Sequence, residues 1–131
     1  IIWRKNTIVM GHSDYQFQHE PIFYGWKKSS THKFYGDRTQ SSVWDFDKPN
    51  SSKEHPTMKP LGIMAKAIKN SSKEEDIVLD VFGGSGSTLI AAEQTNRICY
   101  TMELDPKYCD VIRKRYENFM NNRKGSENGK S

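Results

Sequence analysis

No apolar stretch in the 131-residue chain approaches the roughly 18 residues that a membrane-crossing helix needs, so such a helix is excluded. No amino-terminal signal sequence is visible. Cysteine is scarce. Cys99 and Cys109 are too few for a disulfide framework or a zinc centre, and both are expected as reduced thiols of a cytoplasmic protein. His12, His19 and His32 read as surface or strand residues, and no metal site is implied. A strong excess of either charge is also missing. Twenty Lys and Arg against sixteen Asp and Glu leave +4, which is compatible with a polyanionic partner but does not require one. Apolar residues make up 34% and the mean hydropathy is −0.84. Even with the nine glycines added, the apolar share stays below the roughly 45–50% of an average chain, so one domain with a modest core is expected. No repeat of 20–50 residues is present. The chain opens directly on Ile1-Ile2-Trp3, already strand-like and without Met, as expected of a processed or truncated product.

What is present is unevenly placed. Ten of the fifteen aromatic residues lie in residues 1–46, and all four histidines precede residue 56. Residues 1–9 and 20–26 are rich in β-branched and aromatic residues between turn formers, which predicts two strands. Residues 27–54, rich in Ser, Lys, Asp and Thr, read as a long irregular connection onto which Trp44 and Phe46 anchor. Leu61, Met64, Ala67 and Ile68 recur at helical spacing over 60–70. The apolar runs at 76–82 and 97–103 predict two buried strands, with a short helix over 88–95 between them. Asp105 and Pro106 predict the start of a last helix reaching about residue 120: a capping carboxylate, then proline at the first helical position. Residues 121–131 are expected to be a disordered tail. Strand, helix and strand from 76 to 103 make a βαβ unit with parallel strands.

The chemistry concentrates in Asp80-Val81-Phe82-Gly83-Gly84-Ser85-Gly86-Ser87-Thr88. A plain tight turn is the bland reading of so many glycines and serines. A binding loop is the sharper one, because glycine lets the backbone approach a ligand and the helix that follows offers free N–H groups. Asp80 ends an apolar strand, where a carboxylate is costly without a partner. Glu103 ends the next strand, 23 residues on, and an acid there can accept both hydroxyl hydrogens of a ribose. The alternative is an exposed strand-end acid. No Gly-Lys-Ser/Thr follows the loop, which excludes a phosphate-cradling NTPase loop. The dinucleotide pattern fails at Leu89, where its third glycine belongs. Two acids suit a cationic ligand without phosphate, and S-adenosylmethionine has an ammonium, a sulfonium and a ribose diol. A second segment, His55-Pro56-Thr57-Met58-Lys59-Pro60, stiffens the approach to the first helix; Thr57 or His55 is placed either to cap that helix or to face the ligand.

Together these residues resemble the amino-directed DNA methyltransferases, which methylate adenine N6 or cytosine N4, and within them the permuted β group, whose catalytic half comes first. His55-Pro56-Thr57-Met58-Lys59-Pro60 is similar to the family's HPTxKP segment, the glycine loop to its DxFxGSGxT loop, and Glu103-Leu104-Asp105-Pro106 to its acidic strand end. Ile2-Trp3-Arg4-Lys5-Asn6 and His19-Glu20-Pro21-Ile22-Phe23-Tyr24 resemble late strands of the catalytic half. The resemblance covers residues 1–120. It implies an α/β fold, part of a Rossmann-like S-adenosylmethionine-dependent methyltransferase sheet: the βαβ unit plus an amino-terminal β-hairpin, with the central strands missing. Residues 1–54 would be the end of the catalytic half and residues 55–120 the cofactor-binding half. It implies that Phe82, Gly83, Gly84, Ser85, Gly86, Ser87 and Thr88 contact the methionine part of S-adenosylmethionine. Asp80 would lie near its amino group, Glu103 would bind the ribose hydroxyls, and Leu104 and Asp105 would border the adenine. His55, Pro56, Thr57 and Lys59 would close over the methionine end.

The resemblance further implies double-stranded DNA as the partner of the complete enzyme, a base flipped from the duplex, and a cytoplasmic enzyme of bacterial or phage origin, of the kind found in restriction–modification. Adenine N6 is favoured as the target. Lys27, Lys28, Lys33, Tyr35 and Arg38 are DNA-contact candidates, cations for phosphates and a ring for a base, beside the plainer reading as a solvated loop. One departure stands out. The family's catalytic tetrapeptide, with its Pro-Pro, is absent, so no catalytic residue is assigned and the chain alone is expected to be inactive. Open strand edges predict self-association. The rivals are a non-catalytic DNA-binding remnant and a methyltransferase of the same fold acting on RNA or a small molecule.

Overall fold

The computed structural model describes residues 1–49 and 58–128. Within them, three strands come first: β1 (Ile2–Val9), β2 (Phe17–Pro21) and β3 (Val43–Asp45). Helix α1 (Leu61–Ser71) follows, then β4 (Ile77–Asp80), α2 (Ser87–Gln94), β5 (Ile98–Thr101) and α3 (Pro106–Asn128). They form two sheets, β2-β1-β3 and β4-β5. In the first, β1 runs antiparallel to β2 and parallel to β3. In the second, the strands are parallel and in register from Ile77 opposite Ile98 to Asp80 opposite Thr101.

Helix α1 serves both sheets. On one side Ile63 and Ala67 pack with Trp3 and Trp44, the two indoles that neighbour each other across β1 and β3. On another side Met64, Ala65 and Ile68 meet Ala91 and Ala92 of α2, with Val78 and Cys99 of the second sheet beneath. Each buried indole has its N–H satisfied, as burial demands: Trp3 Nε1 donates to the Phe46 carbonyl at 2.7 Å and Trp44 Nε1 to that of Ser41 at 3.1 Å. Trp44 and Phe46 do anchor the irregular segment, and they do so by adding a third strand, so the expected hairpin is a three-stranded sheet.

Three further expectations are corrected. The second strand covers 17–21, not 20–26. The Ile22 amide still reaches the Ile1 carbonyl at 2.8 Å, but the residues beyond turn into a cluster in which Trp26 stacks on His32 at 3.9 Å. Helix α3 continues to Asn128, so the expected disordered tail does not hold for 121–128. Arg123 donates to Glu93 of α2 at 3.1 Å and Tyr116 to the same carboxylate at 3.1 Å, which ties the helix down. Finally, β4 and β5 are covered on one face only. Their outer residues Ile77, Leu79, Ile98 and Tyr100 are exposed, because α1 and α2 pack on the same side. None of the helices is long and apolar enough to cross a membrane, among the described residues.

Candidate functional site

The site forms at the carboxyl ends of β4 and β5. After Asp80 the chain turns through Gly83, Gly84 and Gly86 into α2. Gly84 (φ 53°) and Gly86 (φ 79°) occupy the left-handed region that a side chain would strain. Gly83 is required for a different reason: a Cβ there would stand 2.4 Å from Thr101 Oγ1, so the loop lies directly on β5. Asp80 Oδ1 accepts the Phe82 amide at 3.0 Å, which fixes the first bend.

Glu103 closes the other side. Its Oε2 accepts the Gly84 amide at 2.7 Å and its Oε1 the Asp105 amide at 3.0 Å. These two backbone donors, the Asp105 amide first, hold its carboxyl below the ordinary glutamate range despite some opposing desolvation. Asp105 caps α3 as expected, accepting the Lys107 amide at 2.9 Å. Leu104 and Phe82 are almost fully exposed, an unusual state for two large apolar side chains beside one loop.

A cavity of about 470 Å³ opens beside the loop, lined by Lys59, Met64, Leu79, Asp80, Phe82, Gly83, Gly84, Ser85, Ser87 and Thr88. The structure thus brings together eight of the residues singled out from the sequence. Glu103 joins them through its bond to Gly84, and Asp105 is tied to Glu103 by its amide; Leu104 and Asp105 are not among the residues that line the cavity. Gly86 lies beneath, against Ile112 of α3. His55, Pro56 and Thr57 lie outside the described residues. Helix α1 begins after Pro60 with no side-chain cap from the described residues. Instead, the Ser87 hydroxyl donates to the Lys59 carbonyl at 3.1 Å, joining the start of α1 to that of α2.

Two residues of the site escaped sequence reasoning. Arg115 of α3 donates to both the carbonyl and the hydroxyl of Ser85, and its burial lowers the guanidinium pKa. Glu20 of β2 holds Lys59 at 2.6 Å. Neither has a local signal, because each partner lies 30 or more residues away.

The basic candidates are exposed but scattered. Lys27 and Lys28 sit at a turn closed by the Ser30 amide on the Lys27 carbonyl. Tyr35 is pinned by its amide to the Asn70 carbonyl, at the carboxyl end of α1, with Lys73 over its ring at 5.5 Å. Arg38 lies in the neighbouring turn, where Gln40 bonds Asn70. Asn70 at that end lies six residues beyond Met64, the residue of α1 that lines the cavity, or roughly 9 Å along the helix.

A parallel βαβ unit with a glycine loop after one strand and an acid after the next is the arrangement at which open α/β sheets bind ligands. Comparison makes this specific. The family model described as DNA methylase, N6_N4_Mtase, matches residues 1–114, and the chain belongs to that family. The Type II methyltransferase M2.MboI of Moraxella bovis is 33% identical over 88 residues, covering 64% of this chain and 32% of the relative. M2.LlaDCHI of Lactococcus lactis subsp. cremoris is 30% identical over 131 residues, covering 88% of this chain and 49% of the relative. Among solved structures, the M1.HpyAVI–SAM complex superimposes with a TM-score of 0.73 at 30% identity, covering 88% of this chain and 59% of that one. The chain therefore spans about half, or less, of the length of the curated relatives it matches.

Proposed function

We propose that this chain is the cofactor-binding part of a DNA methyltransferase that moves a methyl group from S-adenosylmethionine to the exocyclic amine of a flipped base, adenine N6 in preference to cytosine N4. One observation carries this reading: Glu103 on Gly84 joins the acid after β5 and the loop after β4 into one site. Family membership and the similarity to a methyltransferase solved with SAM support it.

The residues fit such a ligand. An ionised carboxylate has about four lone-pair sites, so Glu103 keeps one on each oxygen after its two backbone bonds and can accept both ribose hydroxyls. Asp80 offers a negative charge to the ammonium, and the two acids would repel a pyrophosphate. The exposed faces of Phe82 and Leu104 suit the apolar sides of the sulfonium and adenine. Bound there, S-adenosylmethionine supplies an electrophilic methyl carbon. The protein orients and dries that end of the ligand, and positioning accounts for most of the effect on rate. No Pro-Pro occurs in these 131 residues, so the groups that hold the target amine are not among them and this chain alone performs no transfer. DNA is the partner of the complete enzyme, and Lys27, Lys28, Lys33, Tyr35 and Arg38 remain phosphate- and base-contact candidates on its surface.

Thermal unfolding with S-adenosylmethionine, NAD and ATP in turn tests the reading. A ligand at about 100 times its dissociation constant stabilises by roughly 2.7 kcal/mol, several degrees for a domain of this size. A shift with S-adenosylmethionine alone, abolished in Glu103→Ala, is expected. A shift with NAD or ATP instead, or none with S-adenosylmethionine, would refute it.

A further inference from the structure

Glu20 is one carboxylate shared by two ammoniums. Lys5 reaches its Oε1 at 2.8 Å and Lys59 its Oε2 at 2.6 Å. Both cations also lie over the Trp3 ring, at 5.3 and 5.5 Å. The two lysines are not equivalent. The Lys5 side chain is 7% exposed and that of Lys59 46%. A charge as buried as that of Lys5 must be paired, so Glu20 is committed to it. Lys59 is the member that lines the cavity. One anion and two cations leave a net charge of +1, and the accessible cation is beside the ligand space. Lys59 is fixed at both ends, by Glu20 at its ammonium and by Ser87 at its carbonyl. Asp80 lines the same cavity, so among the described residues the cavity presents one charge of each sign, as a zwitterionic amino-acid end requires.

We propose that Glu20, clamped by buried Lys5, is a positioning residue that holds the Lys59 ammonium at the cavity and so makes the site select ligands with a free carboxylate. The inference rests on the S-adenosylmethionine reading above. It assigns a ligand-directed role to β2, which belongs to the other sheet. It also explains why two cations share one acid when a single surface pair would add little.

Titration calorimetry on the full chain tests it, with S-adenosylmethionine against decarboxylated S-adenosylmethionine, which lacks only the carboxylate. The wild type should prefer the carboxylate-bearing ligand by about tenfold or more, the scale of one charge-assisted hydrogen bond. Lys59→Met should bring that preference to within about twofold. The decisive variant combines Lys5→Met with Glu20→Gln. It removes one charge of each sign, so the net +1 survives on Lys59 and only its position is lost. Its preference should fall close to that of Lys59→Met, through a larger loss of affinity for the carboxylate-bearing ligand than for the decarboxylated one. Should this double variant not fold, Glu20→Asp, which withdraws the carboxylate by one methylene, should lower the preference by about threefold. A wild type without preference, a folded double variant with full preference, or equal losses for both ligands would overturn the proposal. If neither ligand binds the wild type, the cofactor reading itself fails, and that is visible before any variant is made.

Discussion

Glu103 is held ionised by backbone amides rather than by a cation, and this has a consequence for pH. Its folded-state pKa lies below its unfolded value, the Asp105 and Gly84 amides being the cause. Such a group contributes stability above the unfolded pKa and loses it as pH falls through the folded one. The difference in urea stability between wild type and Glu103→Gln should therefore be constant from neutral pH down to the ordinary glutamate range, then shrink as pH falls further. A difference that grew on acidification would contradict the assigned bonds. At this scale the sequence was informative where chemistry is local. Asp80, the glycines and Glu103 are legible because strand, turn and acid occur in fixed order. Arg115 on Ser85 and Glu20 on Lys59 were not, because only folding brings them together.

The elements depend on α1 more than on their own strands. Strand β3 is three residues long and owes its place to Trp44, buried against Trp3 and Ile63. Trp44→Ala should cost about 3–5 kcal/mol, because it removes a large ring and leaves a cavity. Asp45→Asn breaks the bidentate pair with Arg4, whose two side chains are 61% and 62% exposed, and water screens that pair. Chemical denaturation should therefore rank Trp44→Ala far below Asp45→Asn, and equal effects would mean that β3 is held by its edge rather than its indole. Periodicity revealed α1, β4, α2 and β5 because each has a strong pattern of its own. It missed β3, whose three residues make no period, and it ended α3 early, because the Glu93 contacts of Tyr116 and Arg123 leave no trace in local composition.

At the scale of the whole molecule the unusual feature is the bare side of β4-β5. Runs such as Ile77-Val78-Leu79 and Ile98-Cys99-Tyr100 have the composition of strands covered on both faces. Here the inner residues Val78 and Cys99 are packed, and Ile77, Leu79, Ile98 and Tyr100 are 51–66% exposed. Sequence composition records what a strand is suited to bury, whereas the structure shows what is there to bury it. Among the described residues both strands are also edges of their two-stranded sheet, with backbone groups free to pair. Apolar surface and open edges on one element favour association. The isolated chain should therefore sediment as a concentration-dependent oligomer. Leu79→Glu with Tyr100→Glu should return it to a monomer with unchanged far-ultraviolet dichroism, since both side chains already point to water. A wild-type chain that stays monomeric at high concentration would mean that the bare face is tolerated, and the open edges would then have to be blocked in some other way.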